Sequence, residues 1–181
     1  MVLTSIFADV TVQNVVLSAR LLNKIDIAKL EEKYNGLCYQ QPGFPVLCLK
    51  DEVSTLCQIF KNGKVVVIGG KSEEQSNIIL RDYLGRVERV GFDVTFTDLK
   101  VQNIVARLNY GKRVKLQGLH GKKGASYEPE IFPSAVKFRM EELKITANIF
   151  YSGKIMLLGA KSVNSVYEAA ARVTHFLNNE V

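Results

Sequence analysis

Residues 12–16 read VQNVV, and residues 101–105 read VQNIV. Both segments are rich in β-branched residues, which favour strands, and they lie 89 residues apart. Three further matches follow in the same order at offsets of 88 to 90 residues: Tyr39 with Phe44-Pro45 and Tyr127 with Phe132-Pro133, Ile59-Phe60 with Gly63-Lys64 and Ile149-Phe150 with Gly153-Lys154, Gly69-Gly70-Lys71-Ser72 and Gly159-Ala160-Lys161-Ser162. Four ordered matches at a near-constant offset indicate a duplicated half-domain.

The two halves predict the same order of secondary structure. The strands are predicted at about 10–19, 45–50, 54–60 and 64–69, and at about 94–108, 134–140, 144–150 and 154–159. Asn62-Gly63 and Ser152-Gly153 are hairpin turn signals between the last two strands of each half. A short helix is predicted after Asp26, a plausible N-cap, whereas the Gly- and Lys-rich residues 116–124 make its counterpart doubtful.

A long helix is predicted to close each half. Its buried face is predicted to carry Ile79, Tyr83, Val87 and Val90 in the first half, and Val166, Ala170, Val173 and Leu177 in the second. Ser72 with Gln75 forms a capping box at the start of the first of these helices.

Composition places the chain among ordinary globular proteins. Its 181 residues are 47% hydrophobic and 23% charged, and no uncharged apolar run is long enough to span a membrane as a helix. The N-terminus has no basic n-region and carries Asp9, which is untypical of a signal peptide. The three cysteines show no CxxC spacing and are predicted to be buried and unpaired. The net charge of +6 is a weak indication of a polyanionic partner.

Two apolar runs predict a sheet that is buried on both faces. Residues 65–68 and 155–158 are apolar throughout, but the predicted helices can cover only one face of a sheet of eight to ten strands. The other face is predicted to carry Val12, Asn14, Val16, Phe60, Val66 and Ile68. A large uncovered apolar face on a soluble protein indicates a partner.

The motifs VQNVV and VQNIV, SYEPEIFP, IFKNGK and IFYSGK, and GGKSEEQS and GAKS resemble those of the TATA-box-binding protein family over residues 9–179. The resemblance implies an α+β fold, a duplicated saddle with one curved antiparallel sheet of about ten strands and helices on the convex face. It divides the chain into an N-terminal stub, 1–9, a first saddle repeat, 10–91, and a second, 92–181. Strong kinking of DNA through the minor groove is established for this family, so the resemblance implies the same kinking by this chain.

The resemblance also implies roles for individual residues. Four phenylalanines would wedge between base steps: Phe44, Phe60, Phe132 and Phe150. The remaining minor-groove contacts would be Asn14, Val16, Asn103, Val105, Val66, Gln58, Ile68, Asn148, Met156 and Leu158. Candidates for phosphate contacts are Lys64, Lys71, Lys154, Lys161 and Arg139. Candidates for protein contacts are Glu128, Glu130 and Ile131, toward a transcription factor IIB-like protein, and the helix residues Arg81, Arg86 and Arg89.

The chain departs from the family pattern on the expected DNA-facing surface. Gln58 and Asn148 stand where the family has an aliphatic residue, Ile68 and Leu158 where it has threonine, and Met156 where it has valine. Polar and apolar groups have therefore changed places in both halves. Because an amide oxygen can accept from the guanine N2 amino group, we hypothesise that bending is kept while base preference is altered.

The sequence therefore predicts a general transcription initiation factor that binds and bends promoter DNA and nucleates the pre-initiation complex in the nucleus; an archaeal or viral cytoplasmic origin is the lesser option. The expected partners are double-stranded DNA and a transcription factor IIB-like protein, with a transcription factor IIA-like protein and RNA polymerase machinery as further candidates. The alternative is an interaction platform with weak or no TATA binding. An enzyme ranks last: no catalytic residue, cofactor, metal or membrane is predicted, and the glycine that a P-loop needs before Gly70 is Val65.

Overall fold

The structure, a computed structural model, describes residues 10–34, 37–40, 43–51 and 54–180. The predicted stub at 1–9 lies outside these residues. The strands are β1 (Val10–Leu21), β2 (Leu37–Gln40), β3 (Val46–Lys50), β4 (Leu56–Phe60), β5 (Lys64–Gly70), β6 (Phe96–Asn109), β7 (Ala125–Ser126), β8 (Ala135–Met140), β9 (Ile145–Phe150) and β10 (Lys154–Ala160). The α-helices are α1 (Ile27–Lys33), α2 (Glu73–Arg89) and α3 (Val163–Glu180).

The ten strands form one sheet in the order β2-β3-β4-β5-β1-β6-β10-β9-β8-β7, and the strand pairs with a described register are antiparallel. Contacts divide the chain into two units. The first unit is Asn14–Gln102, and the second runs from Asn103 onward and includes the start of β1 up to Gln13. The α+β class and the ten-stranded antiparallel sheet expected from the resemblance are confirmed.

In the first unit, α2 packs on one face of the sheet. Its Leu80, Tyr83 and Val87 lie in one buried cluster with Ile59 and Val67 of the strands. Leu84 belongs to the same buried face, whereas Ile79 is only partly buried and Val90 follows the last turn of the helix. Tyr83 and Val87 of the predicted face are therefore confirmed as buried, and Ile79 and Val90 lie partly buried against the same cluster; the fully buried stripe also includes Leu80 and Leu84, which were not predicted.

The helix starts in the first unit follow the predicted capping chemistry. Asp26 accepts from the backbone N–H groups of Ala28 and Lys29, so α1 begins where it was predicted. Ser72 Oγ accepts from Gln75 N at 3.0 Å, while Gln75 Oε1 accepts from Lys71 N at 2.7 Å. The reciprocal bond of the capping box is thus made one residue before the N-cap rather than at the N-cap itself.

In the second unit, α3 packs on the sheet in the same way. Val166, Ala170, Val173 and Leu177 are fully buried, which confirms the predicted face. Residues 116–124 contain a 3-10 turn, Leu116–Leu119, instead of a second short α-helix. Leu116 and Leu119 are buried. In the second unit this turn therefore covers the core at the position that α1 occupies in the first unit, and it does so with fewer residues.

Two strands lie outside the eight that the residue pattern predicts. These are β2 and β7, which pair with β3 and β8 at the ends of the sheet order. Cys48 and Cys57 are buried and unpaired as predicted, and Cys38 is unpaired but only partly buried. Burial raises the pKa of the Cys57 thiol, so it behaves as an apolar group. None of the helices in the described ranges is long and apolar enough to cross a membrane.

Candidate nucleic-acid interface

Among the described residues, each unit leaves most of the sheet face opposite its long helix uncovered, although Ser18 and Cys48 on that face are buried. We call this the open face, and the strand register identifies its residues. In the first unit it comprises Val16, Ser18, Cys48, Leu56, Gln58, Phe60, Val66 and Ile68. In the second unit it comprises Val105, Arg107, Lys137, Thr146, Asn148, Phe150, Met156 and Leu158.

Burial alternates along the strands as such a surface requires. In β5, Val65 and Val67 are fully buried under the helix, whereas Val66 and Ile68 are only partly buried. In β10 the same alternation separates Ile155 and Leu157 from Met156 and Leu158. The apolar residues that the sequence placed on an uncovered face therefore lie there, and nothing in the described part of either unit covers them.

Asn14 is held in place by a bulge in β5. The register between β1 and β5 shifts by one residue between the Val15–Gly70 and Leu17–Val67 pairs, which leaves an extra backbone N–H at Gly69. Asn14 Oδ1 accepts from Gly69 N at 2.9 Å. Because a backbone N–H can only donate, it fixes which side-chain atom is the oxygen, and the Nδ2 donor is directed elsewhere.

Asn103 repeats this arrangement in the second unit. The register between β6 and β10 shifts between the Leu157–Ala106 and Ala160–Ile104 pairs, and Asn103 Oδ1 accepts from Gly159 N at 2.9 Å. Gly69 and Gly159 have φ values of 120° and 106°, which non-glycine residues rarely adopt. Both asparagines are partly buried, and in each the Oδ1 acceptor is occupied by the bulge glycine while Nδ2 remains a donor.

The four phenylalanines lie beside the hairpin turns that end the open face. Phe60 and Phe150 are the last residues of β4 and β9, and each accepts through its carbonyl oxygen from the glycine of the following turn, Gly63 or Gly153, at 2.9 Å. Phe60 pairs with Val46, and Phe44 precedes that strand with 62% of its surface exposed. None of the four rings belongs to the buried core.

The second aromatic pair has the same setting. Phe150 pairs with Ala135. The Phe132 ring lies with its centroid 5.9 Å from Lys137 Nζ on the open face. The residues between strands β7 and β8 form one helical turn, in which Phe132 N donates to Glu128 O at 2.8 Å.

Gln58 and Asn148 stand opposite Val66 and Met156 on the neighbouring strands. Gln58 pairs with Val66, and its Nε2 makes a weak contact of 3.8 Å with Cys48 Sγ. Asn148 pairs with Met156 on one side and Lys137 on the other. Both amides are partly buried, so each lies within the open face rather than at its rim.

The candidate phosphate contacts are spread over three places. Lys64 and Lys154 begin β5 and β10 and are exposed, on the side of the strands that carries the open face. Arg139 pairs with Thr146 on that face, but its Nε lies 2.8 Å from Glu141 Oε1. Lys71 and Lys161 are exposed in the connections that lead into α2 and α3, beyond the ends of the strands.

The candidate protein contacts lie in two places: the turn between β7 and β8, where Glu128 and Ile131 line a small cavity with the open-face residue Lys137, and helix α2 on the other side of the sheet. Ile131 is 77% exposed at the tip of the turn that also holds Glu128 and Glu130. On α2, Arg81 and Arg89 are exposed, whereas Arg86 is partly buried and forms an ion pair with Asp82. Partial burial opposes the charge of Arg86, but the hydrogen bond and charge of Asp82 outweigh it and raise the pKa.

The sequence analysis missed two cationic residues of the open face. Arg107 pairs with Met156 and Lys137 with Asn148, and both are exposed. The alternation in β6, where Ile104, Ala106 and Leu108 are buried, carries the signal for Arg107. No group of three or more acidic, histidine or cysteine residues able to hold a metal ion occurs in the described ranges.

The comparisons with known proteins agree with this geometry. The family model described as "Transcription factor TFIID (or TATA-binding protein, TBP)" matches the chain twice, over residues 9–90 and 98–179. The chain is 36% identical to the TATA-box-binding protein of Schizosaccharomyces pombe over 162 residues, which cover 88% of this chain and 70% of that protein. It is 37% identical to the TATA-box-binding protein of Saccharomyces cerevisiae over 162 residues, which cover 88% and 67%.

A solved structure shows the same fold. The structure titled "Methanococcus jannaschii TBP" matches with a TM-score of 0.84 at 27% sequence identity, and the match covers 94% of this chain and 99% of that one.

Proposed function

The chain belongs to the TATA-binding protein family, and on that premise we propose that it binds double-stranded promoter DNA in the minor groove, bends it and nucleates the initiation complex. A role in transcription initiation follows from the family, which is non-enzymatic. The observation that carries the proposal is the pair of open faces: among the described residues, each unit leaves much of one sheet face uncovered, with an asparagine anchored at a bulge and two phenylalanine rings outside the buried core.

The chemistry of the open face suits the floor of the minor groove. A·T and T·A pairs present only the acceptors A N3 and T O2 there, whereas G·C adds the N2 amino donor. The Nδ2 groups of Asn14 and Asn103 can donate to those acceptors because their oxygens are already occupied by Gly69 and Gly159. Val16 and Val105 beside them offer no acceptor, so a guanine amino group would lose its hydrogen bonds to water at those positions.

The aromatic pairs are placed to act as wedges. A wedge replaces base stacking worth about a few kcal/mol per step, and it must therefore be apolar, flat and held at a fixed point. Phe60 and Phe150 meet these needs because each is the last residue of a paired strand before a tight turn. Phe44 and Phe132 lie on the connections that lead into the adjacent strands.

An altered base preference is the finer part of the proposal. Gln58 next to Val66 and Asn148 next to Met156 offer amide oxygens where aliphatic side chains would offer none. An amide oxygen can accept from guanine N2, whereas an A·T pair presents only acceptors in the minor groove and leaves that oxygen without a donor. G·C pairs are therefore expected to be tolerated or preferred at the base steps facing these two residues.

The protein partners follow from exposure. Glu128, Glu130 and Ile131 form an exposed turn with an apolar tip and acidic flanks, which suits a transcription factor IIB-like protein with a basic docking surface. Arg81 and Arg89 on α2 are candidates for contacts with a transcription factor IIA-like protein or polymerase machinery. A role at promoters would place the chain in the nucleus if its source resembles that of its yeast relatives.

The test is selection of bound duplexes from a random pool, followed by bend measurement on the selected site. We expect a consensus that admits G·C at positions facing Gln58 and Asn148, and strong bending that Phe60→Ala or Phe150→Ala reduces sharply. Ile78→Ala is the matched control, because it removes an apolar side chain that is 61% exposed on α2, on the helix side of the sheet. A strict A·T consensus would contradict the altered preference, and unchanged bending in both phenylalanine variants would contradict the wedges.

A second candidate function is an interaction platform that binds DNA poorly. Gln58 and Asn148 favour it, because desolvating two amides in the middle of an apolar face opposes DNA binding wherever no base partner is found. Capture of a purified transcription factor IIB-like protein in the absence of DNA, combined with failure to select any duplex, would favour this platform over the initiation factor.

A further inference from the structure

One row of register partners crosses the open face of each unit, and the two rows match position by position. In the first unit, successive strand pairs join Ser18 to Val66, Val66 to Gln58 and Gln58 to Cys48. In the second unit, they join Arg107 to Met156, Met156 to Asn148 and Asn148 to Lys137. Each member of the second row stands 89 or 90 residues after its counterpart in the first, so the rows are equivalent by duplication.

The two rows differ in charge. The row of the first unit is neutral, and its end members are buried: Ser18 is 6% exposed and Cys48 is 1% exposed. Ser18 Oγ is also engaged, since it accepts from Gln102 Nε2 at 2.6 Å. The row of the second unit has an exposed cation at each end, Arg107 and Lys137. The duplicated surface is therefore chemically unequal in its two halves.

The two cations of the second row are not neutralised by the chain. Among the described residues, the ion pairs involve other basic side chains, including the nearby Arg139, but neither Arg107 nor Lys137. Lys137 contacts the face of Phe132 instead. An exposed guanidinium on an apolar surface, with no carboxylate in its row, indicates an anionic or strongly electronegative partner at that point.

We infer that Arg107 is a specificity residue that enters the minor groove and sets the direction in which the protein lies on an asymmetric site. The inference rests on the proposed DNA binding and deepens it. A·T pairs present only acceptors in the minor groove, whereas the N2 amino donor of G·C pairs opposes a cation there. The second unit therefore takes the half-site richer in A·T, and the first unit, whose equivalent row is neutral, takes the other half.

The positions of Arg107 and Lys137 give them separate tasks. Arg107 lies on β6 and Lys137 on β8, three strand spacings away, or roughly 14 Å. They must therefore contact different nucleotides. Arg107 is flanked on its own strand by the half-buried Val105 and lies beside Met156, in the part of the face that holds the groove-floor residues. Lys137 lies beside a proposed wedge and adds charge without distinguishing the bases.

The test uses the full chain and a duplex with one half-site of A·T pairs and one that contains G·C pairs. A photoreactive base is placed in either half, and the crosslinked peptide identifies which unit lies over it. The wild-type chain is expected to crosslink through the second unit at the A·T half, by about tenfold over the reverse arrangement. Arg107→Ser, which copies the neutral residue of the first unit, should bring the two arrangements close to equal while the bend angle stays unchanged.

Two variants control this experiment. Arg107→Lys retains a cation and should keep most of the bias, and Arg89→Ser removes an exposed basic residue of the first unit on the helix side of the sheet and should leave the bias intact. A wild-type bias that persists in Arg107→Ser overturns the inference but leaves DNA binding and bending standing. Failure of the wild-type chain to bind or bend any duplex overturns the proposed function and this inference together.

Discussion

Asn14 Oδ1 accepts a hydrogen bond of 2.9 Å from the backbone N–H of Gly69, the residue that the bulge in β5 leaves without a strand partner. The side-chain oxygen of Asn14 therefore pairs the backbone N–H of Gly69, while its Nδ2 donor remains available for DNA. We predict that these two tasks can be separated. Asn14→Ala should destabilise the protein by about 1–3 kcal/mol because the Gly69 N–H is left unpaired.

Asn14→Asp is the matched variant, because a carboxylate keeps the acceptor and removes the donor. It should lose less stability than Asn14→Ala in urea unfolding, yet weaken DNA binding at least as much, since it also adds a negative charge. Equal stability losses in the two variants would show that the hydrogen bond to Gly69 contributes little.

A second prediction concerns the close approach of α2 to the end of β5. A Cβ added at Gly70 would lie 2.0 Å from Ser76 Oγ and 2.8 Å from the Ser76 backbone nitrogen. Gly70→Ala should therefore destabilise the protein by about 1–3 kcal/mol. Adding Ser76→Ala should restore only part of this loss, because the backbone contact remains, and full recovery in thermal unfolding would show that the side chain alone sets the limit.

A third prediction concerns Tyr83, whose hydroxyl donates to Thr55 O at 3.0 Å inside the first unit. Tyr83→Phe should cost about 1–2 kcal/mol because this buried carbonyl loses a donor. Burial raises the pKa of Tyr83 above 10.0, so the folded protein holds the phenolic proton after the unfolded chain has released it. The stabilisation is full below pH 10 and declines above it. Urea titrations across pH 9–11.5 should show a smaller decline in Tyr83→Phe than in the wild type.

A fourth prediction concerns Glu142, which follows β8 and accepts from Arg172 Nη1 of α3 at 2.6 Å. The hydrogen bond and charge of Arg172 lower the pKa of this carboxyl. A lowered pKa stabilises the fold above the usual range for glutamate, and the contribution disappears as the pH falls through the folded value. Glu142→Gln should thus be slightly less stable than the wild type at pH 7 in low salt and equal to it below about pH 3. A difference that survives in 1 M salt would argue against an electrostatic origin.

The duplication and most of the strands could be predicted from the residues, because hydrophobic alternation and the turn signals Asn62-Gly63 and Ser152-Gly153 are local features. Strands β2 and β7 were missed, since four and two residues at the ends of a sheet carry too little alternation to stand out. Ile79 of the predicted stripe of α2 packs against the core, but the fully buried Leu80 and Leu84 were missed, because adjacent isoleucine and leucine residues fit two neighbouring stripes equally well. Only packing against the sheet decides between them.

The apolar and amide residues of the open face were predicted, as were Lys64, Lys154 and Arg139, but Arg107 and Lys137 were not. The alternation in β6 could have placed Arg107, whereas Lys137 is recognisable as a member mainly through its pairing with Asn148. The bulges at Gly69 and Gly159 are equally non-local: they arise from a register shift between strands that are more than 50 residues apart in the chain. Sequence spacing contains no trace of such a shift.

The anchoring of Asn14 and Asn103 to the bulges constrains how this chain can diverge. Replacing either asparagine lowers the stability of the folded protein, whatever its effect on DNA binding. Gln58, by contrast, makes only a weak contact with a sulfur atom, and Asn148 makes no side-chain hydrogen bond within the described residues. Substitutions that change base preference are therefore expected at Gln58 and Asn148 rather than at Asn14 and Asn103. A lineage could retune its promoters at positions 58 and 148 many times over while the central amides stayed unchanged.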